Sequence, residues 1–414
     1  MKTLFLLCDY YPFGQGELFL DNEVEVLSKN FESIYVFSMS ETKGDKRQVI
    51  ENVQISSFSK RGKFKNSWYA IYSLTKLALW KELITINKTF GHLPSMLHFK
   101  IILKDYIKAK QINIDLLKII EKEKIDLSKT IFYSYWNNSL ALSLAMLKTK
   151  FPNIICVSRS HGWDIDYLRH SPPYLPFKRL LLDQLNMTYT VSNQSKNLLN
   201  NLFKNKYENK ISIERLGSIN KRKPILNKEN SKIIICSCSV LYPLKRVHLI
   251  VDIIKNLKNN SNIEWIHFGD GELKDYIIDY AKTEIPFVKM SITGMIPNIE
   301  ILEFYNTNYV DLFINVSENE GIPVSIMEAQ SAGIPVLATN IGGSSEIVNN
   351  ENGFLVEKDF EMEEVVLIIQ NYLNSSETEK HKKRLAAHGN WKNNFNAEIN
   401  YSNFINNMKD LNVS

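Results

Sequence analysis

The chain has 414 residues, and its 50 lysines and arginines against 45 aspartates and glutamates leave a formal net charge of +5. This length exceeds one ordinary hydrophobic core and predicts two domains of about 200 residues each. The positive charge is too slight for a nucleic-acid-binding protein, which concentrates basic residues into a strong patch. It suits anionic ligands or an anionic membrane face, so we expect no nucleic-acid partner.

The N-terminal stretch 1–7 predicts a first strand, because its apolar part is too short for a signal peptide and no small-residue cleavage site follows. No stretch approaches about 20 uninterrupted apolar residues, the length that spans a bilayer. These features predict a cytoplasmic protein. Its cysteines lie in apolar runs and are expected to be reduced and packed, without a metal site. They are Cys8, Cys156, Cys236 and Cys238.

Short apolar runs alternate with amphipathic stretches along most of the chain. In the first half we predict strands at 3–9, 34–39, 53–58, 131–135, 153–158, 187–191 and 211–216. In the second half we predict strands at 232–238, 263–268, 286–290, 311–316, 335–338 and 353–356, with helices at 246–258, 272–283, 297–308 and 323–332. This alternation is typical of parallel, doubly wound α/β sheets.

The polar segment 217–231 contains Pro224, lacks periodicity and is the predicted linker between two Rossmann-like domains. We place the first domain at 1–222 and the second at 223–390, and we expect the aromatic stretch 391–414 to pack back on the first domain. Such sheets bind ligands at the carboxyl ends of their strands, and two of them facing each other form a cleft there.

Residues 60–110 interrupt the alternation, because a basic cluster leads into a helical stretch rich in aromatic residues, including Trp68 and Trp80. A surface of this kind can lie on an anionic membrane. The simpler alternative is a packed helix preceded by a solvated charge run, and both interpretations stay open. The basic residues are Lys60, Arg61, Lys63 and Lys65.

The most informative stretch is 317–347, SENEGIPVSIMEAQSAGIPVLATNIGGSSEI. Pro323 suits the first position of a helix, so Gly321 lies at a strand-to-helix turn where backbone amides can bind an anion or a sugar hydroxyl. Glu320 lies at the mouth of this turn, and Glu328 falls on the second turn of the helix. A carboxylate accepts from two vicinal hydroxyls at once, which is what a ribose diol offers.

This stretch resembles the E-x7-E signature of family 4 retaining glycosyltransferases, which have the α/β GT-B fold of two Rossmann-like domains facing across a cleft. The resemblance continues through the family's EA-x-A-x-G-x-PV and GG-x-x-E patterns, here at 328–336 and 342–346. It implies that Glu320 is catalytic and that Glu328 binds the donor. It also implies donor binding by Gly321, Ile322 and Pro323.

Three more turns of the second half resemble the family. In SVLYPLKR at 239–246, Lys245 takes the position of a lysine that holds the donor diphosphate and acts in catalysis, whereas Val240 replaces the expected arginine. Arg246 is the candidate substitute for this arginine. The turn FGDGE resembles the family's GxG turn, and TGMI resembles the loop at the nucleobase. The donor-binding residues this implies are Gly269, Gly271, Thr293 and Gly294.

In the first half, SRSHGWD at 158–164 resembles the family's HG-x-D motif, which implies that His161 is catalytic through positioning and charge stabilisation. Asp164 and Asp166 also spell D-x-D, the metal motif of another glycosyltransferase fold, and we reject that interpretation because the two-sheet layout does not use it. The loop PFGQGE after the first strand resembles the family's acceptor-side loop. Its candidate residues are Gly14, Gly16 and Glu17.

The resemblance implies transfer, with retention, of a hexosyl or N-acetylhexosaminyl group from a nucleotide-diphosphate sugar. The expected acceptor is a hydroxyl of a lipid-linked glycan in capsule, lipopolysaccharide or exopolysaccharide synthesis, at the inner face of the cell membrane. No metal or other cofactor is expected, because cations and backbone amides can stabilise the departing diphosphate. Two alternatives remain, a nucleotide-sugar epimerase of the same fold and, because of Val240, a non-catalytic nucleotide-sugar-binding partner.

Overall fold

The computed structural model describes residues 2–14, 16–40, 46–47, 49–57, 74–91, 93–229, 231–257 and 262–411. The chain divides into two compact units, the first comprising Met1–Arg215 and Tyr401–Ser414 and the second Leu216–Asn400. Within the described ranges no helix is both long enough and apolar enough to cross a membrane. The basic cluster at 60–65 and Trp68 lie outside the described residues.

The first unit contains a parallel sheet in the order β3-β2-β1-β4-β5-β6-β7. Strands β1, β4 and β5 have almost no exposed residues, as expected for a sheet covered on both faces. The strands are β1 (Thr3–Cys8), β2 (Ser33–Ser38), β3 (Val53–Ser57), β4 (Thr130–Ser134), β5 (Ile155–Ser160), β6 (Met187–Thr190) and β7 (Ile211–Ile213).

Helices and a large apolar core surround this sheet. The core includes Phe5, Phe37, Phe132 and Leu144, all without exposed surface, and helices pack against it. The described helices are α1 (Leu20–Ser28), α2 (Leu77–Phe90), α3 (Met96–Lys122), α4 (Ser139–Lys150), α5 (Lys178–Gln184) and α6 (Asn193–Leu202).

The second unit contains a parallel sheet in the order β10-β9-β8-β11-β12-β13. Its strands are β8 (Ile233–Cys238), β9 (Ile263–Phe268), β10 (Lys289–Ile292), β11 (Leu312–Asn315), β12 (Val336–Thr339) and β13 (Gly353–Val356). Its helices are α7 (His248–Asn256), α8 (Lys274–Glu284), α9 (Asn298–Thr307), α10 (Val324–Ser331), α11 (Ser344–Ile347), α12 (Met362–Leu373) and α13 (Glu377–Asn394).

The predicted strands and the predicted doubly wound α/β architecture are confirmed, and β10 begins three residues later than predicted. In each sheet the strand order reverses beside the first strand, between β1 and β4 and between β8 and β11. Loops that follow these strands diverge at the carboxyl edge, where open α/β sheets bind ligands. Among the candidate residues, Glu17 follows β1, Lys245 follows β8 and Glu320 follows β11. His161, Gly269 and Thr293 follow the neighbouring strands β5, β9 and β10.

The domain boundaries differ from the predicted ones. Residues 216–222 belong to the second unit, because the Ser218 amide donates to the Phe395 carbonyl at 3.0 Å and the Trp391 indole donates to the Ser218 hydroxyl at 2.9 Å. The described residues of the predicted linker, 217–229 and 231, therefore belong to the second unit and do not form a free linker. Lys228, for example, forms an ion pair with Asp311 at 2.6 Å.

The last helix, α14 (Ala397–Lys409), includes residues of both units. Its part after residue 400 packs on the first unit, where the rings of Tyr401 and Phe404 lie 5.6 and 4.2 Å from the Arg159 guanidinium. Return of the chain to the first unit therefore begins at Tyr401, ten residues later than predicted.

Candidate functional site

Lys245 and Glu320 form the central contact of the second unit's carboxyl edge. Lys245 ends a short 3-10 turn after β8, and Glu320 lies in the loop after β11. The Lys245 Nζ lies 2.6 Å from Glu320 Oε1, and the Asn315 amide lies 3.4 Å from the same oxygen. The structure thus joins the predicted phosphate-binding cation to the predicted catalytic carboxylate.

Glu328 lies on α10 and is buried, with only 7% of its surface exposed. Its Oε1 accepts a hydrogen bond from the Asn298 side-chain amide at 2.7 Å. Burial raises the pKa of Glu328 to about 7, and the hydrogen bond from Asn298 opposes this rise. A carboxyl group with this pKa is half protonated near neutral pH, so a ligand hydroxyl can either donate to it or accept from it.

The turn around Glu320 depends on two glycines in the next loop. Gly342 has φ +54°, and a Cβ on it would lie 2.0 Å from the Glu320 carbonyl oxygen. The Gly343 amide donates to the Gly321 carbonyl at 2.8 Å, and Ile322 is buried beside it. The GG-x-x-E segment therefore supports the backbone that carries Glu320.

Pro323 occupies the position before the helix and not its first residue. Its φ of −77° and ψ of 106° are extended, and α10 begins at Val324. Extended geometry follows from its place as the N-cap, where the chain enters the helix. The predicted helix start was therefore wrong by one residue.

Gly269 and Gly271 allow two loops to approach closely. Their φ values are +146° and +157°, and Cβ atoms there would lie 1.9 Å from the Ser239 carbonyl oxygen and 2.6 Å from that of Leu241. The Leu241 amide donates to the Asp270 carbonyl at 2.8 Å. These glycines are thus required by contacts between the loops after β8 and β9, whether or not a ligand approaches them.

Thr293 and Gly294 extend this loop cluster to the end of β10. The Thr293 amide donates to the His267 carbonyl at 3.0 Å, and Gly294 forms a bridge with Gly269. The predicted diphosphate, GxG and nucleobase loops are therefore adjacent at one edge of the sheet.

Arg246 is engaged at the ends of other strands. It adopts a left-handed φ of +47°, its Nε donates to the Val316 carbonyl at 2.8 Å, and its Nη1 lies 4.0 Å from Asp359. Burial lowers the pKa of this guanidinium. Arg246 thus has a packing role that the sequence did not indicate. Val240 exposes 43% of its surface, which leaves room for a larger side chain at that position.

His161 follows β5 in the first unit and stacks on aromatic rings. Its ring centroid lies 4.2 Å from that of Tyr135 and 4.8 Å from that of Trp136. Both ring nitrogens are buried, and neither has a hydrogen-bond partner among the described residues. Burial and, to a lesser extent, the nearby Arg159 hold the pKa of His161 well below its ordinary value, so the imidazole is neutral at pH 7.

Asp164 is buried and links the loops that follow β4 and β5. Its carboxylate accepts from the His161 amide at 2.8 Å and from the Asn137 amide at 2.7 Å. Asp166 instead accepts from the Leu168 amide at 3.2 Å and from Arg169 at 3.0 Å. Both aspartates of the D-x-D pattern thus have protein partners, and no cluster of three metal-ligating side chains occurs in the described ranges.

Glu17 has a different role from the one predicted. It is buried, and its carboxylate accepts from the backbone amides of Asp9, Tyr10 and Tyr11 at 2.7–3.0 Å and from the Trp136 indole. These bonds from its own loop and from Trp136 satisfy the side chain, so Glu17 shapes the loop and does not present a free carboxylate to an acceptor.

The two glycines of this loop differ in their surroundings. A Cβ on Gly16 would lie 2.6 Å from the Tyr10 ring, so Gly16 is required for packing. Gly14 has φ +60°, and a Cβ on it would have no heavy atom of the described residues within 4 Å.

Sequence reasoning missed two polar residues that hold the site. Asn298 hydrogen-bonds Glu328, and Asn137 bonds both Asp164 and Lys178. No periodicity or motif identifies either residue, because each partner comes from a distant part of the chain.

Comparison with known proteins agrees with this geometry. The model of the family described as glycosyl transferases group 1 matches residues 218–389, which is most of the second unit. Among curated relatives, an Escherichia coli UDP-Gal:alpha-D-GlcNAc-diphosphoundecaprenol alpha-1,3-galactosyltransferase is 26% identical over 273 residues, 61% of this chain and 67% of the relative.

Two further relatives cover less of the chain. An uncharacterized glycosyltransferase of Methanocaldococcus jannaschii is 29% identical over 251 residues, 58% of this chain and 64% of the relative. The O-antigen biosynthesis glycosyltransferase WbnH of E. coli is 45% identical over 58 residues, 14% of this chain and 17% of the relative. The alignments thus span about two thirds of two relatives and a small part of the third.

Solved structures share the whole fold. Anabaena HepE in complex with UDP aligns with a TM-score of 0.65 at 16% identity, covering 99% of this chain and 100% of that chain. The lipopolysaccharide outer core galactosyltransferase WaaB aligns with a TM-score of 0.68 at 14% identity, covering 99% of each chain. At this identity the likeness establishes the fold alone.

The fold and the site loops define a two-sheet α/β protein of the GT-B class. Together with the match of residues 218–389 to the group 1 model and the named relatives, they support a glycosyltransferase of the GT-B type.

Proposed function

We propose that the chain transfers a hexosyl or N-acetylhexosaminyl group, with retention, from a UDP-sugar to a hydroxyl of a lipid-linked glycan in polysaccharide or lipopolysaccharide synthesis. The observation that carries this proposal is the Lys245–Glu320 pair, held by glycine-dependent loops at the carboxyl edge of the second sheet. The E. coli galactosyltransferase supports a lipid diphosphate acceptor, and the UDP complex of HepE supports the donor nucleotide.

The difficult step is departure of the nucleoside diphosphate from the sugar. Lys245 and the backbone amides of the Glu320 turn would stabilise the negative charge that develops on this leaving group. Removing one such donor typically costs about 3–4 kcal/mol of transition-state stabilisation. Because cationic and amide groups can stabilise this negative charge, we propose that transfer proceeds without a metal.

Glu320 and His161 would act on the sugar itself. Glu320 is ready to accept hydrogen bonds from sugar hydroxyls once a diphosphate takes over its partner Lys245. Neutral His161, whose two ring nitrogens have no partner in the part of the chain that the structure describes, can both donate to and accept from hydroxyls of the transferring sugar. In a retaining reaction the acceptor attacks from the face that the nucleotide leaves, so no enzyme nucleophile is assigned.

The test combines a donor panel with a lipid-linked acceptor. UDP-galactose, UDP-glucose, UDP-N-acetylglucosamine and GDP-mannose are incubated with undecaprenyl-diphosphate-linked N-acetylglucosamine in the presence of a chelator, and the product's anomeric configuration is read by NMR. The expected result is an α-linked product that Glu320→Gln abolishes. The matched control Glu318→Gln lies in the same loop but pairs with Lys358 at 2.8 Å, so it retains activity.

Other products would contradict the proposal. Epimerised nucleotide sugar without transfer would favour the epimerase, and binding without turnover of any donor would favour a non-catalytic partner. A β-linked product would exclude retention. Activity restored only by manganese would contradict metal independence.

A second proposal concerns location, because helix α2 exposes an apolar stripe. Leu77, Trp80 and Ile84 lie on one face and expose 65, 49 and 65% of their surface. Lys81 and Lys88 are also exposed, whereas the one acidic residue in the helix sequence is buried. We propose that this face lies on an anionic membrane, where the lipid-linked acceptor is presented.

The start of α3 continues the same character. Leu93, Met96 and Leu97 expose 79, 69 and 50% of their surface, and Lys100 is exposed on the next turn. Apolar side chains beside lysines suit the boundary between acyl chains and anionic headgroups. This surface would place the enzyme at the inner face of the cell membrane.

A further inference from the structure

Lys178 is a buried lysine at the start of α5 in the first unit. Only 3% of its surface is exposed, although lysine is almost never buried without a partner. Its Nζ donates to the backbone carbonyl of Asn137 and, at 2.7 Å, to the Asn137 side-chain oxygen. Two bonds to one residue fix that residue's backbone and side chain together.

The bonds of Asn137 continue to the candidate catalytic loop. Its backbone amide donates to Asp164 Oδ2 at 2.7 Å, and Asp164 Oδ1 accepts from the His161 amide at 2.8 Å. Its side-chain amide donates to the Ser158 hydroxyl on β5 at 3.2 Å. A continuous path of hydrogen bonds therefore runs from Lys178 through Asn137 and Asp164 to the backbone of His161.

The charge of Lys178 matters as well as its bonds. Asp164 is buried, and its burial raises the pKa of its carboxyl, whereas the positive charge of Lys178 is the largest influence that lowers it. An ionised Asp164 accepts both backbone amides with charge-assisted hydrogen bonds. Lys178 thereby stabilises the two hydrogen bonds of Asp164 through its charge and through its own bonds to Asn137.

The position of Lys178 is itself fixed from α2. The preceding residue, Phe177, has a left-handed φ of +60° and is the N-cap of α5. Its amide donates to Glu82 Oε1 at 2.8 Å, and the Tyr174 hydroxyl donates to the same oxygen at 2.8 Å. These bonds set the direction in which the helix, and with it Lys178, begins.

We propose that Lys178 is a positioning residue that, through Asn137 and Asp164, holds His161 at the place where it acts on the transferring sugar. The proposal rests on the proposed role of His161 in sugar transfer. Lys178 is buried and its Nζ bonds Asn137 and not the imidazole, so its loss acts through the geometry of the His161 loop.

Lys148 offers a matched control in the same unit. Its Nζ also donates to a backbone carbonyl and an asparagine side chain, those of Ile154 at 2.7 Å and Asn186 at 2.8 Å. These partners precede β5 and β6, at the amino edge of the sheet, whereas His161 follows β5 at the carboxyl edge. Lys148→Met therefore removes equivalent bonds and leaves the hydrogen bonds that join Asn137, Asp164 and His161 in place.

The kinetic test compares Lys178→Met with Lys148→Met in the full chain, using the donor and acceptor that wild type accepts. Misplacement of a catalytic group by about 1 Å costs up to about 100-fold, so kcat of Lys178→Met should fall by about 10–100-fold. KM for the donor and UDP affinity by calorimetry should stay unchanged. Lys178→Arg, which keeps the charge and the donors, should recover part of the loss, and Lys148→Met should retain kcat.

A second measurement needs no turnover and so separates this proposal from the proposed function. The histidine ring signals are recorded by NMR on histidine-labelled protein, and His161→Gln assigns the His161 signal. Lys178→Met should shift or broaden that signal, whereas Lys148→Met should leave it in place. If Lys178→Met fails to fold by circular dichroism, Asn137→Ala replaces it and should shift the same signal.

Two results would overturn the inference. One is an unchanged His161 signal in a folded Lys178→Met or Asn137→Ala variant. The other is an equal loss of kcat in Lys178→Met and Lys148→Met, which would reduce Lys178 to a general contribution to stability. A wild type without transfer activity but with a displaced His161 signal in the variant would contradict the proposed function alone.

Discussion

The ammonium group of Lys245 lies 2.6 Å from the carboxylate of Glu320, 75 positions further along the chain. In this pair Glu320 binds the ammonium group that is proposed to bind the leaving diphosphate. Lys245 in turn binds the carboxylate that is proposed to contact the sugar. A bound nucleotide sugar would therefore exchange one partner for another at both groups. Such an exchange avoids leaving either charge unpaired in a partly buried site.

This relationship predicts opposite effects for two substitutions on UDP binding. Lys245→Ala should weaken UDP binding far more than uridine binding, because it removes a charge-assisted bond to the diphosphate worth about 1.5–3 kcal/mol. Glu320→Gln should tighten UDP binding, because Lys245 no longer has to leave a carboxylate. Calorimetric titration with UDP and uridine measures both. Equal losses for UDP and uridine in Lys245→Ala would make Lys245 a structural residue.

Val240→Arg tests whether the diphosphate site lacks a cation. Val240 is half exposed, and Arg246, the candidate substitute, is bound to the Val316 carbonyl. An arginine at position 240 should therefore tighten UDP binding while uridine binding stays constant. The control Val240→Met adds length without charge. Equal UDP affinity of wild type and Val240→Arg would show that another group already supplies the charge.

Glu328 predicts a pH dependence of nucleoside binding. With a pKa of about 7, its carboxylate fraction rises about tenfold between pH 6 and pH 8, and ionised oxygens accept from the ribose diol. Uridine affinity should therefore rise up to about tenfold over this range, and Glu328→Gln should abolish the rise. Uridine is the probe because its charge stays constant there. A pH-independent wild type would exclude Glu328 from the ribose site.

The raised pKa of Glu328 also predicts how the stability of the fold depends on pH. The folded-state pKa of Glu328 lies above its ordinary value of 4.5, so the stabilising contribution of this group is complete below pH 4.5 and is lost as the pH rises through 7. Glu328→Gln should therefore raise Tm relative to wild type at pH 8 more than at pH 5. Thermal unfolding at both pH values measures the difference.

His161→Gln should lower kcat and leave UDP affinity intact, because His161 belongs to the first unit and the proposed nucleotide loops belong to the second. Loss of one hydrogen-bonding group at the reacting centre typically costs about 10²–10³ in kcat. Because the pKa of the imidazole is far below 6.5, kcat should not decline from pH 8 to pH 6 through protonation of His161. Steady-state kinetics across this range, with His381→Gln as control, test both statements.

The apolar stripe of α2 predicts binding to anionic vesicles. Replacing Leu77, Trp80 and Ile84 by Ser should abolish sedimentation with phosphatidylglycerol vesicles, and Lys81→Gln with Lys88→Gln should weaken it by about 1 kcal/mol for each lysine. Added salt should weaken binding, because surface charges are screened over about a Debye length. The control replaces Leu367 and Leu385, exposed leucines of the second unit, by Ser. Equal sedimentation of the stripe variant and this control would contradict the membrane proposal.

The strands and the order of the site loops could be predicted from the sequence. Apolar runs bounded by polar turns identify buried parallel strands, and alternation with amphipathic helices identifies doubly wound sheets. Ligand loops follow the carboxyl ends of such strands, and the resemblance to family 4 glycosyltransferases implied Glu320, Lys245 and His161, which lie after β11, β8 and β5. Each of these inferences uses information within about 20 residues of the chain.

The partners of these residues were not predictable. Glu17 was expected to face an acceptor, but its carboxylate binds three amides of its own loop and the Trp136 indole. Arg246 was expected at the diphosphate, but its left-handed backbone directs it to Val316. Both side chains carry charge in a suitable loop, and only the path of the backbone determines which groups they reach.

By itself, therefore, the sequence determined the α/β class, the strand positions and the loops that carry polar side chains, since periodicity and turn chemistry are local properties. The tertiary structure decided which charges pair, as Lys245 does with Glu320 and Lys178 with Asn137. It also decided which groups lose water, so that Glu328 acquires a pKa of about 7. Charge pairing and loss of water depend on which distant segments of the chain come into contact. No short-range sequence pattern specifies those contacts.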